Sequence, residues 1–276
     1  MERQQQIHVH RGVPPEEENR QHDEEQDPNT IYAIFADHDE NGIWVYQALT
    51  KKIADFAVAR QTLRGCKEFN GTRMTWIEPS FAWVLYRSGY ARKRGQERVL
   101  KLQISHEAFC SILERCSIGT GGGGTSGRVQ WDPERDFWEG NPDEKPGKEP
   151  RKMVYRRSIQ IGIGKELSQF YTKAILRIED VTELAHKVQE AHATMMTSKT
   201  TTALQNDAKR AFVLDFLAQQ RNYLAMPNER RYMPSHLLSE GELRRLQLVG
   251  TEDIVRHHEE KKEAKPGKNR KQKILH

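Results

Sequence analysis

Apolar positions along the chain follow two periods. A two-residue alternation, rich in β-branched and aromatic side chains, predicts strands over 30–36, 42–49, 73–78, 99–105, 128–131 and 154–163. A strand is also expected where AILRIEDV follows a helical stretch. Asn41-Gly42, between the first two strands, is a strong turn signal and predicts a hairpin. A three-to-four-residue spacing predicts helices over 51–63, stopping near Gly65, and over 79–88, opened by Pro79 and closed by Gly89. Ser105 caps the next one, in which Phe109, Ile112, Leu113 and Cys116 form a core stripe. Further helices are expected over 165–176, after a Thr182 cap, over 201–220, and after the capping box Ser239…Glu242. The stretches 117–127 and 136–150 read as loop insertions, and the Asp-Pro of QWDPER reads as a turn.

Strands early, helices between and after them, and no internal repeat predict an α+β domain over 30–250. It would have a mixed, largely antiparallel central sheet, flanking helices and a helical extension over 182–250. Strand alternation also assigns faces. Val129, Trp131, Ile159, Ile161 and Ile163 point to the core, leaving Arg128, Gln130, Ser158 and Gln160 opposite. In 73–78, Met74 and Trp76 are assigned to the core, and Arg73 and Thr75 to the other side. A sheet face of Arg, Thr, Gln and Ser suits a bound polar ligand better than the Lys and Glu of a merely wet face.

Composition narrows the picture. Of 276 residues 36% are apolar and 30% charged, less apolar than a fully packed chain. Residues 1–30 hold eight acids and three bases; 259–276 hold three acids and seven bases. Residues 1–29 and 251–276 are therefore expected to be an acidic and a basic disordered tail. No apolar run reaches membrane-spanning length, and no signal-peptide centre is seen near the start, so the expected location is cytoplasmic or nuclear, with no membrane partner. Three cysteines cannot build a disulfide framework.

Catalytic signatures are few. Gly119, Gly121 and Gly124 fit a GxGxxG pattern, but a helix precedes it and a strand follows, the reverse of a dinucleotide loop. No His, Cys and carboxylate set has metal-ligand spacing, so no metal site is expected. Two basic clusters flank the strands. One comprises Arg87, Arg92, Lys93, Arg94 and Arg98 with Tyr86 and Tyr90; the other Lys148, Arg151, Lys152, Arg156 and Arg157 with Tyr155. Guanidinium groups grip phosphate and aromatic rings stack on bases, so a nucleotide or nucleic acid is the expected ligand.

Several segments resemble domain-of-unknown-function family 4291: VYQA (45–48), RMTWIEPSFAWVLYRSGYARK (73–93), QERVL (96–100), VQWDPERD (129–136), RRSIQIG (156–162) and MPNERRYMP (226–234). That resemblance implies no activity. The order of elements is also similar to ADP-ribosyltransferase-like proteins, and by that analogy Gln47, Ser80 and Gln160 would grip NAD and the acceptor, with Arg73 on a phosphate. Two functions are expected in competition. One is an enzyme acting on a nucleotide or nucleic acid, with NAD or ATP as the candidate cofactor. In it Asp132, Glu134 and Gln160 would be catalytic, and Gln47, Arg73, Thr75, Ser80, Arg87, Gln130, Arg157 and Ser158 would bind substrate. The other is a non-catalytic RNA- or protein-binding module built on the basic clusters. Oligomeric state does not follow from the sequence.

Overall fold

A computed structural model describes residues 30–119, 126–136, 150–197 and 226–248. Its strands are β1 (Ile31–Tyr32), β2 (Ile34–Ala36), β3 (Ile43–Leu49), β4 (Thr75–Ile77), β5 (Arg98–Ile104), β6 (Cys116–Ile118), β7 (Gly127–Asp136), β8 (Arg151–Ile163), β9 (Ile175–Asp180) and β10 (Arg230–Tyr232). The helices are α1 (Lys51–Arg60), α2 (Phe81–Ser88), α3 (His106–Glu114), α4 (Lys165–Ala174), α5 (Thr182–Thr197) and α6 (Glu240–Arg245). The architecture is α+β.

Two sheets carry the fold. In the first, β8 pairs antiparallel with β7 on one edge and with β4 on the other, where β1 also joins it in parallel; β6 runs parallel to β7. The second is the antiparallel order β3-β5-β9. They meet where Tyr46 and Glu78 exchange backbone hydrogen bonds of 2.7 and 3.0 Å, so β3 continues the layer beyond β4. The lower face of this joined layer carries Val45, Leu102, Ile77, Ile161 and Val129, all fully buried. Leu167 and Tyr171 of α4 and Phe109, Ile112 and Leu113 of α3 close the core beneath them. On the upper face Tyr46 and Val99 pack under Phe81, Val84 and Leu85 of α2 and Ala185 and Val188 of α5. The apolar cover on that side lies over β3 and β5, and α2 also reaches across to β7.

Several expectations change. The expected hairpin is present only at its turn end, where His38 bridges Ile43 antiparallel and Trp44 N–H donates to the Asp37 carbonyl at 2.9 Å; beyond it β2 pairs with β10 and β3 with β5. The Asn41-Gly42 turn survives because the Asp39 carboxylate accepts both backbone N–H groups, at 2.8 and 3.1 Å. Gly42 is required there, since a Cβ would lie 2.1 Å from the Ile104 carbonyl oxygen. Helix α1 stops four residues before Gly65, at a left-handed Gln61 (φ 53°) whose amide bonds Ile178 in both directions, at 3.0 and 2.8 Å. The Thr182 hydroxyl accepts from Val99 N–H of β5 rather than capping its own helix.

QWDPER is strand, not turn. Pro133 has no N–H to donate, and β7 tolerates it by shifting register between Pro133 and Arg135. Cys116–Ile118, at the start of the expected loop 117–127, is strand β6. Strand β10 interrupts the stretch expected to be helical. The tails, the 201–220 helix, the glycines 121–124 and Lys148 fall outside the described residues.

Candidate functional site

The upper face over β4, β8 and β7 is polar, in contrast to its neighbouring half. Register places Gln130 opposite Gln160, Asp132 opposite Ser158, and Arg128 opposite Gly162. Paired residues of an antiparallel ladder share a face, so these groups form one strip. Ser158 and Gln160 are buried, while Asp132 and Gln130 are half-exposed. Next along the layer comes Trp76, whose ring would lie 3.1 Å from a Cβ on Gly162; the glycine leaves that ring its place. The expected facing of 73–78 is thus reversed. Ile77 anchors the strand in the core, which puts Thr75 below the sheet and Trp76 above it.

Glu78 sits two residues beyond Trp76 on this upper side, opposite Tyr46, and is only 4% exposed. Burial lifts its carboxyl to about 8; Arg87 opposes the shift and Asp132 adds to it. Asp132 is also raised by burial, against the pull of Arg157, Arg135 and Arg87. Glu78, Asp132 and Arg87 therefore lie within one another's fields. A buried carboxyl that holds its proton, Glu78, beside a second carboxyl flanked by three arginines, Asp132, is an arrangement that acid–base chemistry can use.

A second carboxylate group secures the start of α2. Strand alternation puts Glu134 on the same face as Asp132, where it is buried under α2 and its Oε1 accepts from the Ser80 hydroxyl at 2.7 Å and from Arg135 N–H at 3.0 Å. Ser80 in turn accepts from Trp83 N–H at 3.3 Å, the usual bond of a helix N-cap. Glu229, from the segment before β10, accepts from Phe81 N–H at 2.6 Å. Burial raises both Glu134 and Glu229, and the Glu134 charge raises Glu229 further. Their hydrogen bonds go to the helix start, so they hold α2 against the sheet. Along α2, Tyr86 lies under the Arg135 guanidinium at 3.7 Å, and Arg87 is exposed beside the strip.

The expected residues divide accordingly. Gln130, Ser158, Gln160 and Asp132 lie on the strip with Arg87 beside it, while Arg157, paired opposite Pro133, projects from the other face of β8 and reaches Asp132 through its charge. Ser80 and Glu134 are engaged with each other at the α2 cap. Gln47 and Thr75 lie below the layer: the Gln47 amide donates to Thr75 Oγ1, and the Tyr171 hydroxyl donates to Gln47 Oε1 at 2.9 Å. Burial holds that phenol far above its ordinary range, so it stays a donor. Arg73 is exposed in the loop before β4. The structure does not bring Gln47, Ser80 and Gln160 together, since Gln47 sits on the opposite face from Gln160. Glu78 and Glu229 were not among the expected site residues. Glu78 had one sequence signal, its place two positions beyond Trp76 on the same strand face; Glu229 had none beyond lying in MPNERRYMP.

The basic clusters are partly committed to the fold. Arg98 bridges Asp55 and Asp180. Lys93 donates to the Arg87 carbonyl at 2.7 Å, and Arg156 stacks on Phe35 at 3.8 Å. Among the described residues no group of three His, Cys, Asp or Glu is placed to hold a metal ion, and no helix is long and apolar enough to cross a membrane.

An α+β domain with two joined sheets and a polar strip beside α2 defines the class. The chain belongs to the family described as Domain of unknown function (DUF4291), which matches residues 33–212, a span containing the whole strip and the α2 cap residues except Glu229. No curated protein matches the chain in sequence.

Proposed function

We propose that the protein is an enzyme acting on a phosphorylated nucleotide or nucleic-acid substrate at the strip of β4, β7 and β8. The observation that carries this reading is the mutual field of Glu78, Asp132 and Arg87 on a face otherwise lined by amides and hydroxyls. Arg87 binds phosphate oxygens, and Arg157 adds positive charge near Asp132. Gln130, Gln160 and Ser158 orient the polar edge of the substrate. Asp132, the carboxyl that keeps more of its charge among three arginines, takes a proton from the attacking water or hydroxyl. Glu78, protonated below about 8, gives a proton to the leaving group. Transfer from NAD is the ADP-ribosyltransferase-like form of this reading, supported by the order of elements; ATP or RNA as the substrate fits the same groups.

The competing reading, a non-catalytic RNA- or protein-binding module, draws on fewer residues than the sequence offers, because Arg98, Lys93 and Arg156 are engaged within the fold. Incubation of the protein with NAD, ATP and labelled RNA separates the two. Turnover that is lost in Asp132→Asn and kept in Arg73→Ala supports the enzyme. Binding without turnover, weakened by removing Arg92 and Lys152, supports the module.

A further inference from the structure

On the other side of the layer, a hollow of about 350 Å³ opens between α4 and the loop that follows α1. Its lining has three parts. Leu63 and Phe69, both packed against the main core, supply an apolar floor. Ser168 and Thr172, one turn apart on α4 and each more than nine-tenths buried, supply hydroxyls on one wall. Arg64 and Lys173, both exposed, stand among the lining residues from opposite sides, one from the loop and one from α4. Gly71 keeps the hollow open, since a Cβ there would lie 2.6 Å from Ser168 Oγ. Among lining residues the Thr172 hydroxyl donates to the Gln169 carbonyl at 3.2 Å, and the Cys66 thiol faces the nearby Glu68 carboxylate at 3.7 Å.

These features are hard to explain by stability alone. Among the described residues neither Arg64 nor Lys173 forms a salt bridge, so both cations are available at the rim, and buried hydroxyls next to an unfilled space forgo packing. An anion at the rim would pair with these cations, and an apolar body on the Leu63 and Phe69 floor would fill the space. The volume lies at the lower end for small-molecule sites, which suits a compact ligand. We propose that this hollow is a binding site for a small organic anion, a phosphate or carboxylate carried on a compact apolar group, separate from the strip on the upper face.

Phenyl phosphate is the probe, with phenol and inorganic phosphate as its two halves, titrated calorimetrically into the full chain. Saturable binding of phenyl phosphate is expected, tighter than that of either half and weakened by added salt. Arg64→Ala with Lys173→Ala weakens it by about tenfold or more, as loss of charge-assisted hydrogen bonds does. Gly71→Ala, which puts a methyl group into the hollow, weakens it with the cations intact; a melting curve for each variant confirms folding. Arg87→Ala, on the far face, leaves it unchanged, which also keeps this result distinct from any outcome at the strip. The inference is overturned if phenol binds as tightly as phenyl phosphate, if no saturation is reached by about 10 mM, or if only Arg87→Ala weakens the binding.

Discussion

Replacing Glu78 by Gln tests the electrostatics of the strip directly. The buried carboxyl titrates at about 8, against 4.5 when exposed in the unfolded chain. Between those values the folded protein holds a proton that the unfolded chain has released. Stability must therefore fall as pH rises through this window and level off above about 8. At about 1.4 kcal/mol per pH unit, the whole window is worth roughly 5 kcal/mol, and the part reached by pH 7 roughly 3 kcal/mol. Gln has the shape of the protonated acid and does not titrate. Glu78→Gln is thus expected to match the parent near pH 5, to exceed it progressively up to about pH 8, and to hold that gap to pH 9. Urea unfolding at one-unit pH intervals reads the difference as a growing gap in midpoint at constant slope. Because Asp132 raises the Glu78 titration, the gap narrows when the comparison is repeated in Asp132→Asn. A gap that is flat from pH 5 to pH 9 refutes the reasoning and removes the protonated acid from the site.

Three other outcomes are expected. Ser80→Ala removes both the α2 cap and the donor to Glu134, and chemical denaturation should read a loss of about 1–3 kcal/mol. Tyr171→Phe deletes the bond to Gln47 below the layer; it should cost about 1 kcal/mol and leave ligand binding at the strip unaltered, and a change in that binding would contradict the placement of Gln47. Gly42→Ala forces a Cβ toward the Ile104 carbonyl, so the turn must move, and a melting temperature equal to the parent's would show that the close approach is not needed.

Much of the fold was legible where one physical signal governed. The stripe of Phe109, Ile112, Leu113 and Cys116 is buried, and Ser105 and Ser239 cap their helices as their positions predict, whereas α2 is capped by Ser80 and not opened by Pro79 as expected. Ile159, Ile161 and Ile163 face the core, with Ser158 and Gln160 opposite. The misreadings came where two signals competed. RMTWI alternates equally well with Trp76 or Ile77 inward, and only Gly162, far away in sequence, makes room for the tryptophan above the sheet. Asp-Pro signals a turn locally, yet the pairing of β7 with β8 absorbs it as a register shift, which tertiary contacts alone can impose. The polar strip was visible as Gln130, Gln160 and Ser158, whereas Glu78 becomes significant only because β3 bridges to it and buries it.

The most direct test of the acid–base pair is the pH profile of turnover on whichever of NAD, ATP or RNA the protein consumes. A rate that falls on the alkaline side near 8, with that limb removed in Glu78→Gln and the whole rate removed in Asp132→Asn, is the predicted result. A rate that Asp132→Asn leaves intact, or no consumption of any of the three, would contradict it.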